Sequence, residues 1–329
     1  MSICLCDISA LEAIRSSGKL VGELMDHPRT SSLDGCRAPN AAELDDLLVG
    51  LGVRTRPVHV LTPWGTSTLA QPGVRRHRRD APLPRASLVR AKDDLLISSP
   101  ELVVAQLAAR RDYGIVDLAL VATELCGTYL LDSSKDSWEG FTNIDRAVCS
   151  RSRIASMLDA PASMRGAPKL RRALTSILDG SHSPMESVLT LLLCLPRSLG
   201  GIGLSGLALN YRVAVAGSEY FIDLAIPKLK VGLEYNGLQY HAIEQSARDD
   251  RRQNDLIGVG WTIINVWIDD LKNPILFSKL LDSLFRAMGR RSRPGDDFLK
   301  RQVELRKSSS QVVETEFVSV NGFWCSEVN

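Results

Sequence analysis

In the C-terminal half of the chain, apolar positions switch between helical and strand spacing in a definite order. Ser183-Pro184-Met185-Glu186 has the features of a helix start, a capping serine followed by proline at the first helical position. Val188, Leu189, Leu192 and Leu195 then recur at helical spacing until Pro196 stops the pattern. A glycine-rich connection, Gly200-Gly201-Ile202-Gly203, leads to strand-like runs over 207–214 and 220–224 around the turn Ala216-Gly217-Ser218. A third strand is predicted over 228–235, a polar helix over 246–258 and a fourth strand over 261–267. An amphipathic helix over 274–288 follows, with Ile275, Leu276, Leu280, Leu281, Leu284 and Phe285 on one face. Helix, three strands, helix, strand, helix predicts an α/β domain over 181–290, a mixed β-sheet flanked by helices.

The first 180 residues follow another pattern and predict a mostly helical α+β region. Loose helical spacing at 8–14 and 41–51 is broken by Gly50 and Gly52, and short strands are predicted over 58–69 and 87–97. Arg75-Arg76-His77-Arg78-Arg79 falls between those strands, as a solvated hairpin tip or a nucleic-acid contact. Ser98-Ser99-Pro100-Glu101 opens helices that run to 131, a polar loop follows, and helical spacing resumes over 144–178. Asp179-Gly180-Ser181 marks the boundary between the two halves. Residues 291–296 suit a linker, Ser308-Ser309-Ser310 a mobile tail, and 312–323 an additional edge strand, so 291–329 is assigned as linker and tail.

Composition adds limits. At 329 residues, 44% of them apolar and 24% charged, the chain is long enough for two folded units. No apolar run nears the roughly 20 residues of a membrane span, and Met1-Ser2-Ile3-Cys4 lacks a basic start with an apolar core, so a cytoplasmic address without membrane association is expected. The seven scattered cysteines contain no CxxC pair and are expected as reduced thiols. The net charge of +2 is unevenly spread: residues 54–92 carry nine Lys and Arg against Asp80 alone, and 151–172 carry six against Asp159. If a polyanion binds, the upstream half supplies much of the phosphate attraction.

The chemistry concentrates at two predicted strand ends. Glu234 and Asn236 are separated by one residue and share a side of their strand, while a hairpin brings Asp223 beside them. Two carboxylates and an amide carbonyl form an oxygen-rich nest suited to Mg²⁺ or Mn²⁺, which makes phosphodiester hydrolysis the natural reaction. His241, five residues beyond Asn236, is placed to orient or deprotonate an attacking water. Glu186 has two readings, a site carboxylate or the far end of a capping box with Ser183. Asn236-Gly237 is also a hairpin-turn signature. No Walker or GxGxxG loop points to nucleotide chemistry.

Glu234-Tyr235-Asn236-Gly237 with Tyr240-His241, then Asp249-x-x-Arg252-x-Asn254-x-Leu256 and Gly260-Trp261-Thr262-Ile263, resembles the very-short-patch-repair-like endonuclease family of the PD-(D/E)XK superfamily, especially its actinobacterial members. The resemblance covers about 183–270 and implies a restriction-endonuclease-like C-terminal domain. It implies Asp223 and Glu234 as metal ligands, Asn236 at a usually acidic position, His241 at the histidine beyond the glycine, and Glu186 as a glutamate completing the site. It also implies Arg252 and Asn254 as nucleic-acid contacts; Arg75, Arg76, Arg78 and Arg79 are nucleic-acid candidates on their charge alone. The superfamily lysine after Glu234 is missing, and asparagine stands where aspartate is usual. The upstream half, with Ser98-Ser99-Pro100-Glu101, is similar to regions that precede this domain in the same actinobacterial proteins, some of which resemble antitoxin-like regulators, and this implies a protein partner for the N-terminal region. Two functions follow as expectations: a metal-dependent DNA endonuclease or nickase, with RNA also a candidate substrate, or a non-catalytic nucleic-acid-binding or antitoxin-like regulator that keeps the scaffold.

Overall fold

The computed structural model describes residues 2–66, 71–79, 81–132, 140–159, 164–236, 243–291 and 295–314. The chain opens with β1 (Ser2–Leu5), α1 (Asp7–Ser16), α2 (Val21–Asp26), β2 (Arg29–Thr30), β3 (Cys36–Arg37) and α3 (Ala41–Gly50). Next come β4 (Val58–Pro63), β5 (Val74–Arg79), β6 (Leu88–Lys92), β7 (Leu95–Ser98), α4 (Pro100–Ala108) and α5 (Ile115–Leu125). A small hairpin of β8 (Tyr129–Leu131) and β9 (Phe141–Asn143) precedes α6 (Arg151–Leu158), α7 (Ala167–Leu174) and α8 (Pro184–Cys194). The remainder is β10 (Ala208–Val215), β11 (Ser218–Ile226), β12 (Val231–Asn236), α9 (Ile243–Gly258), β13 (Thr262–Trp267), α10 (Ile268–Lys272), α11 (Pro274–Ala287) and α12 (Asp296–Glu314).

Local chemistry explains the well-marked starts. Ser99 and Ser183 accept the backbone N–H of Leu102 and Glu186 at 3.4 and 3.2 Å, each before a proline at the first helical position. Asn40 and Glu43 form a reciprocal capping box on α3. Such caps stabilise a helix start by about 1 kcal/mol each. The β10–β11 hairpin turns at Ala216 and Gly217, both at positive φ (47° and 86°), the conformation that a two-residue turn between twisted strands requires.

Two mixed sheets result. The larger has seven strands in the order β2-β6-β7-β1-β4-β5, with β3 also pairing to β1; β1 runs parallel to β7, and β4 parallel to β5. The smaller follows β10-β11-β12-β13, antiparallel except for the final β12–β13 pair. α8 packs on β11, while α9 packs against β10 and β13, so helices flank a mixed sheet in the C-terminal half. One apolar cluster runs without a break from Ile3 and Leu5 through Leu118 and Leu125 to Leu189, Leu233, Leu284 and Leu305. At Asp179-Gly180-Ser181 the chain stays bound to the first half, through Gly180 N–H to Cys126 O at 2.9 Å and Thr128 N–H to Ser181 O at 2.8 Å.

Three local expectations require correction. The Arg75–Arg79 run is not a hairpin tip but most of β5, held in register with β4 at the sheet edge. Helix ends at Leu125, and 129–131 forms a strand whose Leu131 N–H is taken by Glu124. Ser308-Ser309-Ser310 lies within α12 rather than a tail, because Leu305, Arg306 and Ser309 are buried and the helix seats against α5, α8 and α10. The strand suggested over 312–323 begins inside that helix and otherwise falls outside the described residues.

Gly200 marks where α12 meets the rest. Its φ is +89°, and a Cβ there would run into the Arg301 carbonyl. Gly200→Ala is therefore expected to destabilise the protein by about 2–4 kcal/mol, combining left-handed strain with displacement of α12. Urea unfolding measures this; a change within about 0.5 kcal/mol, typical of surface substitutions, would mean that the approach of α12 is easily relieved.

Candidate metal centre

A row of polar residues crosses the smaller sheet at one level. Leu209 pairs with Leu224 and Tyr211 with Ile222, which sets Asn210 opposite Asp223. Leu224 pairs with Leu233, which sets Glu234 next outward, opposite Asp223, and Glu234 itself pairs with Asn265 on β13. At this level the backbone ladder gives way: Asp223 Oδ2 accepts the Tyr235 N–H at 2.8 Å. The carboxylate thus substitutes for a strand partner at the point where β11 and β12 part.

Helices add groups to the row. From the start of α8, Glu186 is buried; its Oε2 accepts the His182 N–H at 2.9 Å and the Asn210 Nδ2 at 3.3 Å, and its Oε1 accepts the Ser183 hydroxyl at 3.0 Å. It bonds the amide before Ser183 rather than that of Ser183, so it braces the helix start and faces the sheet at once. Burial raises its carboxyl pKa, against those hydrogen bonds. From α9, Arg252 Nη1 donates to Glu234 Oε2 at 2.6 Å, and its Nη2 donates to the Phe221 carbonyl.

The electrostatics are those of a carboxylate cluster short of positive charge. Burial pushes the Asp223 carboxyl up, Glu186 and Glu234 push it further, and the Tyr235 amide and Arg252 oppose them, leaving it at about 6. Glu234 Oε1 is buried and finds no hydrogen-bond partner among the described residues. A buried carboxylate oxygen without a donor is costly unless a cation completes it. Asp223 and Glu234 thus offer the hard oxygen donors that Mg²⁺ or Mn²⁺ favours.

Other sequence-predicted residues stand further from this picture. Asn236 lies two residues beyond Glu234 on β12, and its Nδ2 donates to Asn265 Oδ1 at 3.0 Å. Arg252 is not turned to solvent for a phosphate but clamps Glu234, while Asn254, two positions on, lies exposed on another side of α9. His241 lies outside the described residues. Arg75, Arg76, Arg78 and Arg79 sit on the edge strand of the other sheet, with Arg79 bonded to the Ala81 and Pro82 carbonyls. A cavity of about 870 Å³ also lies away from the carboxylates, lined by Arg29, Arg85, Glu101 and Arg153; Glu101 Oε1 pairs with Arg29 and Arg153, while its Oε2 also lacks a partner among the described residues, but no other carboxylate lines the cavity. We place the candidate site at the carboxylates because an unpartnered buried oxygen and a raised carboxyl meet there.

Sequence reasoning missed Asn210 and Asn265, whose partners become visible only with the strand register. It also missed Asp7, His59 and His77, which converge in the larger sheet. The six described cysteines are free, and no helix among the described residues is long and apolar enough to cross a membrane.

No protein-family model and no solved structure matches the chain. It is similar to uncharacterised proteins of two Mycobacterium tuberculosis strains, CDC 1551 / Oshkosh and ATCC 25618 / H37Rv. Each is 29% identical over 126 residues, which is 38% of this chain and 44% of the relative. The match therefore spans less than half the length of either relative.

Proposed function

We propose that the chain is a metal-dependent phosphodiester hydrolase, a DNA endonuclease or nickase of the very-short-patch-repair-like kind on a restriction-endonuclease-like domain. One observation carries the reading: Glu186, Asp223 and Glu234 converge from α8, β11 and β12, with Asp223 held at about 6 and Glu234 Oε1 left without a donor among the described residues. Asp223 and Glu234 would hold Mg²⁺ or Mn²⁺, with the Asn236 carbonyl as a neutral third donor. Bound there, the ion supplies Lewis-acid polarisation of a phosphate and lowers the pKa of a water. Arg252 fixes Glu234 and brings a guanidinium beside the carboxylate row. Glu186, buried with its carboxyl pKa raised by that burial, keeps Asn210 and the start of α8 in place beside Asp223.

The test is nicking of supercoiled plasmid by the full chain with Mg²⁺ or Mn²⁺, against a chelated control and Glu234→Gln. Metal-dependent nicking that Glu234→Gln removes supports the reading; absence of nicking together with absence of Mg²⁺ or Mn²⁺ binding by calorimetry sinks it. Cation affinity should also depend on pH. Below about 6 the ion must displace a proton from Asp223, so affinity should fall about tenfold per pH unit as pH drops, and level off above it. A titration at pH 5, 6, 7 and 8 checks this.

The Arg252–Glu234 pair favours a second reading. A guanidinium already on one ligand oxygen suits a scaffold that binds nucleic acid without cutting it, and DNA binding unaffected by cation with no cleavage is its signature.

A further inference from the structure

The larger sheet carries another set of ligating groups, unrelated to the carboxylate row. Leu61 on β4 pairs with His77 on β5, and His59, two residues before Leu61, projects to the same side. β1 is the other neighbour of β4, and the chain leaves it with Cys6 N–H bonded to the His59 carbonyl at 3.1 Å, which delivers Asp7 to the two imidazoles. His59 Nδ1 lies 3.0 Å from His77 Nε2 and 3.5 Å from Asp7 Oδ1, and ligand atoms of all three residues lie within 4.8 Å of one another. Asp7 and His59 are each only 3% exposed.

We propose that Asp7, His59 and His77 form a binding site for a first-row transition-metal dication, with Zn²⁺ as the reference ion. Metal bonds of 2.0–2.1 Å in tetrahedral geometry put neighbouring ligand atoms about 3.3 Å apart, and the two shortest separations here bracket that value. Two imidazoles and one carboxylate select zinc-like ions over Mg²⁺, which takes oxygen donors. The carboxylate is also oriented as a ligand should be: Oδ1 accepts the Ile8 N–H at 2.7 Å and Arg110 Nη1 at 2.8 Å, which fixes the group beside the imidazoles. Asp7 keeps a φ of +56°, and Gln106 takes its backbone N–H at 2.8 Å, so a strained backbone fixes this side chain in the cluster. Three protein ligands leave at least one position open, and Arg75, exposed on the same side of β5 as His77, makes an anionic oxygen such as a phosphate its natural occupant.

The test uses the full chain carrying Asp223→Asn and Glu234→Gln, so that the carboxylate row does not contribute. Metal-free protein is titrated with Co²⁺ and followed by visible d–d absorption, then back-titrated with Zn²⁺. The expected result is one equivalent of Co²⁺ in a low-coordinate spectrum, displaced by one equivalent of Zn²⁺. His77→Gln, at the partly exposed sheet edge, should weaken Co²⁺ binding by at least about 100-fold, because losing a ligand exceeds the 10–100-fold typical of losing a supporting partner. Asp7→Asn should do the same. Circular dichroism of the metal-free variants establishes that they fold. Absence of the Co²⁺ spectrum and of Zn²⁺ binding in the parent protein, or unchanged binding in folded His77→Gln, overturns the proposal and leaves a hydrogen-bonded Asp–His–His network in its place.

Discussion

Asp223→Asn is expected to lower metal-dependent nicking by at least about 100-fold, equivalent to ~2.7 kcal/mol of barrier, while making the metal-free protein more stable above pH 6. The two effects share one cause. The carboxyl is held at about 6 instead of its ordinary 3.8, chiefly by burial and by Glu186. A raised carboxyl contributes its stability in full below the ordinary value and loses it as pH rises through the folded value. The metal-free parent should therefore weaken between pH 4 and pH 6, by an amount on the order of 3 kcal/mol. Asparagine carries no charge to lose and still offers a carbonyl to the Tyr235 N–H, so the variant should escape that loss. Thermal midpoints of both proteins at pH 4 and pH 7.5, without and with Mg²⁺, measure it. Equal midpoints at both pH values would show that Asp223 is not desolvated, and undiminished nicking would show that it is not a ligand.

The largest loss of stability is expected from Glu124→Ala. Glu124 on α5 is 1% exposed and takes both Nε and Nη2 of Arg15 from α1, at 2.9 and 2.6 Å, as well as the Leu131 N–H at 3.1 Å. Removing it leaves a largely buried guanidinium without that carboxylate and a buried amide without its acceptor, for a cost of about 3–5 kcal/mol. The pair itself is another matter, since desolvation of both ions offsets much of their attraction. The double variant Arg15→Met with Glu124→Met should recover at least half of that loss. Urea unfolding of the two variants decides. A single variant within about 1 kcal/mol of the parent would mean that water reaches Arg15.

The smaller sheet was legible because each of its elements is announced locally. Ser183-Pro184 starts α8, Ala216-Gly217 turns the first hairpin, and the hairpin of β11 with β12 sets Asp223 beside Glu234, with Asn236 two residues beyond Glu234 on the same strand. The larger sheet had no such signals. Its β1–β7 and β1–β4 pairs join residues more than 50 positions apart, and no spacing along the chain specifies which strands meet. β5 is nearly all basic, so its extended form has no apolar alternation to betray it; the pairing with β4 and the protection a charged edge enjoys hold it there. For the same reason Asp7, His59 and His77 look like three isolated residues until the strands are ordered. Ser308-Ser309-Ser310 misled through composition: serine is a modest helix former, but Leu305 and Arg306 bind that segment to the core.

The unbroken apolar cluster bears on how such a protein changes over time. α8 and α12 each pack against α5, and Arg306 of α12 donates to the carbonyls of Leu271 and Lys272 just beyond β13. A recombination event that transplanted only the C-terminal sheet would carry away one side of a shared interior and expose the leucines of α8 to water. Inheritance should therefore favour exchange of both halves together, with substitutions in α5, α8 and α12 compensating one another.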